Sequence, residues 1–272
     1  MGPAFAAAPG PRIAVLTRPA GRNETLADRL RGAGWQASIL PALEIHPLSI
    51  ASEDLPRPAD YDLVVFVSGN AARQYLDQIA LADGAVAWPA NVAAATVGPA
   101  SALALRQTGH FGANTTLLHP DESAPSHDSE ALWRVLQAQP SLPARVLLVR
   151  GTQGRDWLGD TLQAHGVSVT RHAAYQRRPA AWTPAQLDAL RHWADAGVAA
   201  TWLVTSGEGA DAIRGQLDSA GLADWWGRCR FVLTHPSLAR RVPQAGDGAG
   251  GPAMVKICLP NDESIFQAFV AA

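Results

Sequence analysis

Two apolar runs in this 272-residue chain stop on Ser-Gly: VVFVSGNAA at 64–72 and WLVTSGEGA at 202–210. Each stop places a hydroxyl, Ser68 or Ser206, beside a residue without a side chain, Gly69 or Gly207. Asn70 follows in the first copy and Glu208 in the second. If a helix begins there, its first N–H groups lack partners inside the helix and carry a partial positive charge. A carboxylate or phosphate can sit on such a corner without help from a basic side chain. The plainer reading is that each serine caps its own helix. The sequence leaves both open.

Other chemistries find little support. GTQGRDWLG at 151–159 lacks the third-glycine spacing of a dinucleotide loop, and neither GxxxxGK[ST] nor GxSxG occurs. His119, His127 and His235 fall near expected strand ends without metal spacing and read as surface or capping residues. Cys229 and Cys258 have no ligand or disulfide pattern, which fits a reducing cytoplasm. The net charge of −2 has no like-charge run behind it, so neither a nucleic-acid tract nor a membrane-surface stripe is expected. No apolar run approaches the roughly 20 residues of a membrane helix. The opening MGPAFAAAPGP has no basic start and reads as a floppy tail, residues 1–11, rather than a secretory signal. Lys256 is the only lysine among 22 basic residues. Arginine suits carboxylate binding, though an Ala- and Arg-rich coding bias is the plainer explanation of the choice.

The elements that must hold the corners alternate. Arg12–Leu16 reads as a buried strand and Asn23–Arg31 as a helix stopped by Gly34. Strands are expected at Asp62–Val67, Val92–Val97 and Thr115–Leu118, and helices at Ala71–Ile79, Ala100–Gln107 and Ser129–Ala138, the last capped by Asp128. Such alternation predicts an open, mostly parallel sheet covered on both faces.

The plan then repeats. RVLLVRGTQGRDWLGDTLQAHG at 145–166 echoes RIAVLTRPAGRNETLADRLRGAG at 12–34, setting Arg150 against Arg18 and Gly166 against Gly34. Ser206 answers Ser68, and LTHPSLARRVPQAG at 233–246 answers TVGPASALALRQTG at 96–109, pairing Pro236 with Pro99. LPNDESIFQAF at 259–269 matches the helix capped at Asp128. In open α/β sheets the carboxyl ends of the strands form the ligand crevice, so both Ser-Gly corners are expected to line one.

RIAVLTRP, DLVVFVSGNAA, VGPAS, SHDSEAL, VLLVRGTQGRDWLGDTLQAHG leading to AAYQRRP, WLVTSGEGA and FVLTHPSLARRV occur in one order from about residue 12 to 270. Together they resemble the uroporphyrinogen-III synthase family. The resemblance implies two similar α/β domains with parallel sheets and a cleft between them. Domain one is expected at 12–40 plus 180–272 and domain two at 48–171, joined by extended linkers at 41–47 and 172–179. It also implies a cofactor-free and metal-free cyclising lyase of the cytoplasm, a monomer. Such an enzyme turns hydroxymethylbilane into uroporphyrinogen III, with loss of water and inversion of the last pyrrole. Transient contact with the upstream hydroxymethylbilane synthase goes with it.

By the same resemblance, Tyr175 is the general acid for the departing hydroxyl; the plainer reading is a residue that packs the hinge. Ser68, Gly69, Asn70, Gly98, Ser101, Ser206, Gly207, Thr234 and Ser237 bind the substrate's acetate and propionate groups. Arg18 and Arg150, with Arg155, stand at turns where they either pair with those carboxylates or simply face solvent. Two positions depart from the family's pattern: His235 stands where a glycine is common, and Leu238 where a second hydroxyl often appears. The competing class is a two-lobed anion binder or sensor without chemistry. A two-domain sugar-nucleotide transferase is disfavoured by length and by the missing diphosphate-binding glycines.

Overall fold

The computed structural model describes residues 11–84, 87–112, 114–124, 126–243 and 254–271, the side chain of Ala100 excepted. Apart from Pro11, the expected N-terminal tail lies outside the described residues. In chain order the strands are β1 (Ile13–Leu16), β2 (Gln36–Ile39), β3 (Leu43–Pro47), β4 (Leu63–Phe66), β5 (Ala93–Thr96) and β6 (Leu117–Leu118). They continue with β7 (Arg145–Gly151), β8 (Ser168–Pro179), β9 (Thr201–Val204), β10 (Arg230–Leu233) and β11 (Val255–Ile257). The α-helices are α1 (Glu24–Gly32), α2 (Gly69–Asp83), α3 (Pro99–Gln107), α4 (Ser129–Gln137) and α5 (Trp157–Ala164). After β8 come α6 (Pro184–Asp195), α7 (Gly207–Ser219), α8 (Ala223–Trp226) and α9 (Asp262–Val270).

The chain divides into two compact units, one up to Glu44 and from Arg178 onward, the other Ile45–Arg177. The first holds a five-stranded sheet in the order β11-β10-β9-β1-β2, the second a six-stranded sheet in the order β3-β8-β7-β4-β5-β6. Every neighbouring pair in the first sheet is parallel, as are β8-β7, β7-β4, β4-β5 and β5-β6 in the second. Laid side by side, β2, β1, β9, β10 and β11 repeat β8, β7, β4, β5 and β6, the same correspondence the sequence repeat draws. Segments far apart in the chain are thus made neighbours: Ala14 of β1 pairs with Thr201 of β9.

Alternation of side chains explains why central strands such as LVVF and TWLV are apolar at every position. Val64 and Phe66 join one core cluster with α2 residues Tyr75 and Leu76, while Leu63 and Val65 join another with Leu132 and Trp133 of α4 and Leu158 of α5. In the other unit Trp202 and Val204 face α6, α7 and α8, whereas Leu203 faces α1 and α9 through Leu26, Leu30 and Phe269. Each sheet is therefore covered on both faces. Helices α1 and α5 end alike: Gly34 and Gly166 take φ of +82° and +81°. That turn lets the Trp35 and Val167 amides donate back to the Leu30 and Leu162 carbonyls.

Helix α2 begins two residues earlier and runs longer than the apolar spacing suggested, because Ser68 rather than a later residue caps it. The expected strand at Thr115 shrinks to β6. The segments expected as linkers are ladder strands. Leu48 N–H donates to Ala174 C=O at 3.1 Å and Ala180 N–H to Ala42 C=O at 3.0 Å, so β3 and β8 run antiparallel.

Candidate functional site

Strands β8, β7, β4 and β5 lie side by side, so their carboxyl ends collect the residues that the repeats mark. Ser68 leaves β4 fully extended, with φ −164° and ψ 161°, and its Oγ accepts the Ala71 amide at 3.1 Å. Capping is thus real, and it consumes an acceptor lone pair while leaving the hydroxyl proton available. The amides of Gly69 and Asn70 open the helix with no intrahelical acceptor in reach. On the next strand Gly98 caps α3 in the same extended conformation. A Cβ built on Gly98 would lie 3.1 Å from His127 Cβ, and one on Gly69 would lie 3.9 Å from Ser101 Oγ. Ser68, Gly69, Asn70, Gly98 and Ser101 therefore form one corner.

Tyr175 reaches that corner through an irregularity in β8. The β7–β8 register runs Arg150↔Ala173 and then Gly151↔Tyr175, skipping Ala174. Consecutive residues of a regular strand face opposite ways, yet Ala174 and Tyr175 both belong to the core cluster that holds Phe66 and Tyr75. The bulge turns Tyr175 back toward β4, where its hydroxyl lies 3.3 Å from Ser68 Oγ. Tyr175 is 5% exposed, so the residue expected in an extended linker is a core residue whose hydroxyl reaches Ser68. The Thr152 amide fixes the turn by donating to the Tyr175 carbonyl at 2.9 Å. Nearby, buried His172 donates from Nε2–H to Gln78 Oε1 at 2.7 Å, and desolvation holds the imidazole below its ordinary pKa.

The other unit carries the related corner at the ends of β9 and β10. Ser206 Oγ accepts the Gly209 amide at 3.0 Å and caps α7 as Ser68 caps α2. Thr234 Oγ1 stands 3.5 Å from the Thr205 carbonyl. His235, the departure from the family pattern, caps the short 3-10 turn Pro236–Arg241: Nδ1 accepts the Ser237 amide at 3.1 Å. Gly207 and Ser237 border a hollow of about 440 Å³ whose other lining residues are Leu238, Arg240 and Arg241. Arg240 and Arg241 were not singled out from the sequence, although their place in the repeat, opposite Leu103 and Ala104, marks a gain of charge.

The arginines at the β1 and β7 turns are engaged within their own units. Arg18 is 8% exposed, and its Nη1 meets Asp262 Oδ1 at 2.6 Å, tying the β1 turn to the start of α9. Its Nε and Nη2 are buried without a hydrogen-bond partner among the described residues. Arg150 folds over its own loop, donating to Gly151 C=O at 3.2 Å and Gly154 C=O at 2.7 Å. Its Nη1 lies 2.9 Å from Asp156 Oδ1, close enough for ion pairing but without an aligned hydrogen bond. Asp156 also takes Arg171 Nε at 2.6 Å, so one carboxylate ties β7 to β8 beside the bulge. Arg155 is paired at the surface with Glu130.

Comparison with known proteins gives this geometry its context. Among solved structures, the uroporphyrinogen-III synthetase of Helicobacter pylori 26695 superposes with a TM-score of 0.57 at 14% identity, over 96% of this chain and 99% of that one. That likeness speaks for the fold. Among curated proteins, the uroporphyrinogen-III synthase of Salmonella typhimurium is 31% identical over 239 residues, spanning 85% of this chain and 91% of its own length. The Escherichia coli protein of the same name is 29% identical over the same shares. Residues 24–249 match the family described as Uroporphyrinogen-III synthase HemD. With that match over most of its length, and a relative above 30% identity, the chain belongs to the uroporphyrinogen-III synthase family.

Proposed function

We propose that this chain closes linear hydroxymethylbilane, with loss of water and inversion of the last pyrrole ring, to uroporphyrinogen III. The observation that carries the reading is the family match over residues 24–249. The Tyr175 hydroxyl, 3.3 Å from Ser68 Oγ at the rim of a strand-end corner, supplies a chemically suitable group. The push comes from the substrate, since a pyrrole nitrogen expels the hydroxyl from the adjoining carbon and leaves an electron-poor azafulvene. Tyr175 gives its proton to the departing hydroxyl, and the proton lost when a pyrrole regains aromaticity restores the phenol. The linear substrate closes unaided to the other isomer, so the main task of the protein is to restrict geometry.

Ser68, Ser101, Ser206 and the first amides of α2 and α7 hold acetate and propionate groups in this reading. Arg18 and Arg150 serve by keeping the β1 and β7 turns in shape. No cofactor or metal enters. Among the described residues no helix is long and apolar enough to cross a membrane. A cytoplasmic monomer that receives its unstable substrate from hydroxymethylbilane synthase completes the proposal, with the segments around 41–47 and 172–179 as the joints between domains. The test is incubation with freshly generated hydroxymethylbilane, oxidation and separation of the porphyrin isomers. Isomer III in excess supports the reading, and isomer I alone at the rate in buffer would sink it.

A further inference from the structure

The two corners do not offer a carboxylate the same donors. At Ser237 the hydroxyl is turned away: its Oγ lies 2.7 Å from His235 Nδ1, the nitrogen that already accepts the Ser237 amide. A nitrogen that accepts an N–H carries a lone pair, so the hydroxyl proton also points to it. What Ser237 shows to the outside is then an acceptor oxygen, which repels a carboxylate. Leu238 stands where the repeat has Ser101, two residues after the shared proline, and it is buried. At these two positions, then, this corner has lost outward hydroxyl donors: the Ser237 proton is turned inward and the counterpart of Ser101 is apolar.

It is nevertheless the more cationic. Arg240 and Arg241 line the hollow of about 440 Å³ beside Gly207, in repeat positions that hold Leu103 and Ala104 in the other unit. Arg241 is fixed by Asp211, with Nη1 3.0 Å from Oδ2, and its Nε would lie 3.6 Å from a Cβ on Gly207. Arg240 is exposed and makes no hydrogen bond or ion pair with the described residues. A guanidinium fork matches the two oxygens of a carboxylate, and its charge-assisted bonds are stronger than those of a hydroxyl.

We propose that the hollow bounded by Gly207, Ser237, Arg240 and Arg241 is a carboxylate-binding subsite in which Arg240 replaces the donors that His235 and Leu238 have removed. The subsite rests on the reading that this chain binds a tetrapyrrole bearing acetate and propionate arms, and it assigns one acidic arm to the first unit. It also explains how the two departures from the family pattern are tolerated together. The lost hydroxyls and the gained guanidinium lie within one stretch, Thr234–Arg241.

The experiment compares wild type, Arg240→Gln, Arg240→Lys and Arg240→Gln/His235→Gly in two assays. One is turnover of hydroxymethylbilane; the other is fluorescence titration with uroporphyrin III, an unreactive ring with the same arms. Arg240→Gln should raise KM and the uroporphyrin Kd about tenfold, the worth of a charged hydrogen bond, with kcat and isomer ratio kept. Its Kd should also depend less on salt than that of wild type. Arg240→Lys should fall between, and His235→Gly, which frees the Ser237 proton, should recover part of the affinity. Unchanged Kd and salt dependence in Arg240→Gln would overturn the subsite whatever the turnover assay gives. An Arg240-dependent Kd in a protein that makes only isomer I would overturn the synthase reading and leave the subsite standing.

Discussion

A Cβ added to Gly151 would lie 2.9 Å from Tyr175 Cζ and 3.2 Å from its hydroxyl oxygen. The tyrosine ring occupies the space that any other residue at 151 would need, and the register shift between Arg150 and Gly151 is what brings the two together. A glycine at the end of β7 is thus a condition for the position of a hydroxyl on β8. The space, rather than backbone freedom, is the reason for glycine there.

Gly151→Ala should consequently displace the Tyr175 hydroxyl from Ser68. Overpacking of this kind costs about 1–3 kcal/mol, and turnover should fall with little change in KM. Phenylalanine keeps the ring and its clash but has no hydroxyl to misplace. In a Tyr175→Phe background, then, Gly151→Ala should still lower Tm while adding almost nothing to the loss of turnover. Full additivity of the two kinetic defects would show that Gly151 acts by some route other than Tyr175.

Tyr175→Phe by itself removes one atom from a ring that is otherwise packed among Phe66, Tyr75 and Val149. Its contact with Ser68 Oγ is long, at 3.3 Å, so the stability loss should be under about 1 kcal/mol. Turnover should drop strongly without vanishing, because the pyrrole nitrogen still drives the departure of the hydroxyl. Single-turnover rates of isomer III formation are the measurement. An unchanged rate removes Tyr175 from the acid role and leaves it as a packing residue.

Ser68 has two duties that substitution can separate. Ser68→Ala loses the bond from the Ala71 amide, a cap worth about 1 kcal/mol, and it also loses a donor for substrate. Ser68→Asp keeps the cap, since an aspartate oxygen accepts the same amide and suits the helix N-terminus, but it sets a negative charge where a carboxylate should bind. Alanine should therefore lower Tm and raise KM modestly. Aspartate should hold Tm and raise KM further. If aspartate binds uroporphyrin as well as wild type does, no carboxylate approaches this corner.

How much of this was legible before the fold was known differs from residue to residue. The Ser68 and Ser206 corners were visible because a strand end, a capping hydroxyl and a helix start are all local, and because each occurs twice. The stop at Gly34 was visible for the same reason. That β1 shares a domain with β9 was reached only through the family resemblance, since Ala14 and Thr201 are joined by tertiary packing and no spacing in the chain encodes their pairing. Tyr175 was expected in an extended linker, either as the acid or as a packing residue of the hinge; a register shift leaves no mark in composition, so the bulge that buries its ring beside Ser68 was hidden. Arg18 and Arg150 looked available at their turns, and only the placement of Asp262 and Asp156 shows that each is tied by an ion pair within its own unit, Arg18 through Nη1 alone. The doublet Arg240–Arg241 did carry a signal, a change of type against the other repeat, but it matters only once the hollow beside Gly207 is known.

His172 makes the last prediction, which concerns stability and pH. Its ring lies edge-on to Tyr75 with centroids 5.5 Å apart, and its Nε2–H donates to Gln78 Oε1 at 2.7 Å. Burial disfavours the charged ring, so its pKa in the folded chain lies below the ordinary 6.5. The unfolded chain therefore takes up this proton first as pH falls. The contribution of neutral His172 is complete above about pH 6.5 and is lost as pH falls through that value toward the lower folded one. The carboxylates with depressed pKa, Glu24 and Glu263 with ordinary values of 4.5 and Asp62 and Asp121 with ordinary values of 3.8, lose their contributions further down. His172→Phe removes the titration and keeps the ring, but leaves Gln78 Oε1 without its donor, at a cost of about 1–3 kcal/mol. Thermal melts should show the variant less stable than wild type at about pH 7.5 yet losing less Tm on the way down to about pH 5.5. Parallel losses in both proteins would mean that the buried ring charges as easily as one in water, and that its desolvation contributes nothing to the acid side of the stability curve.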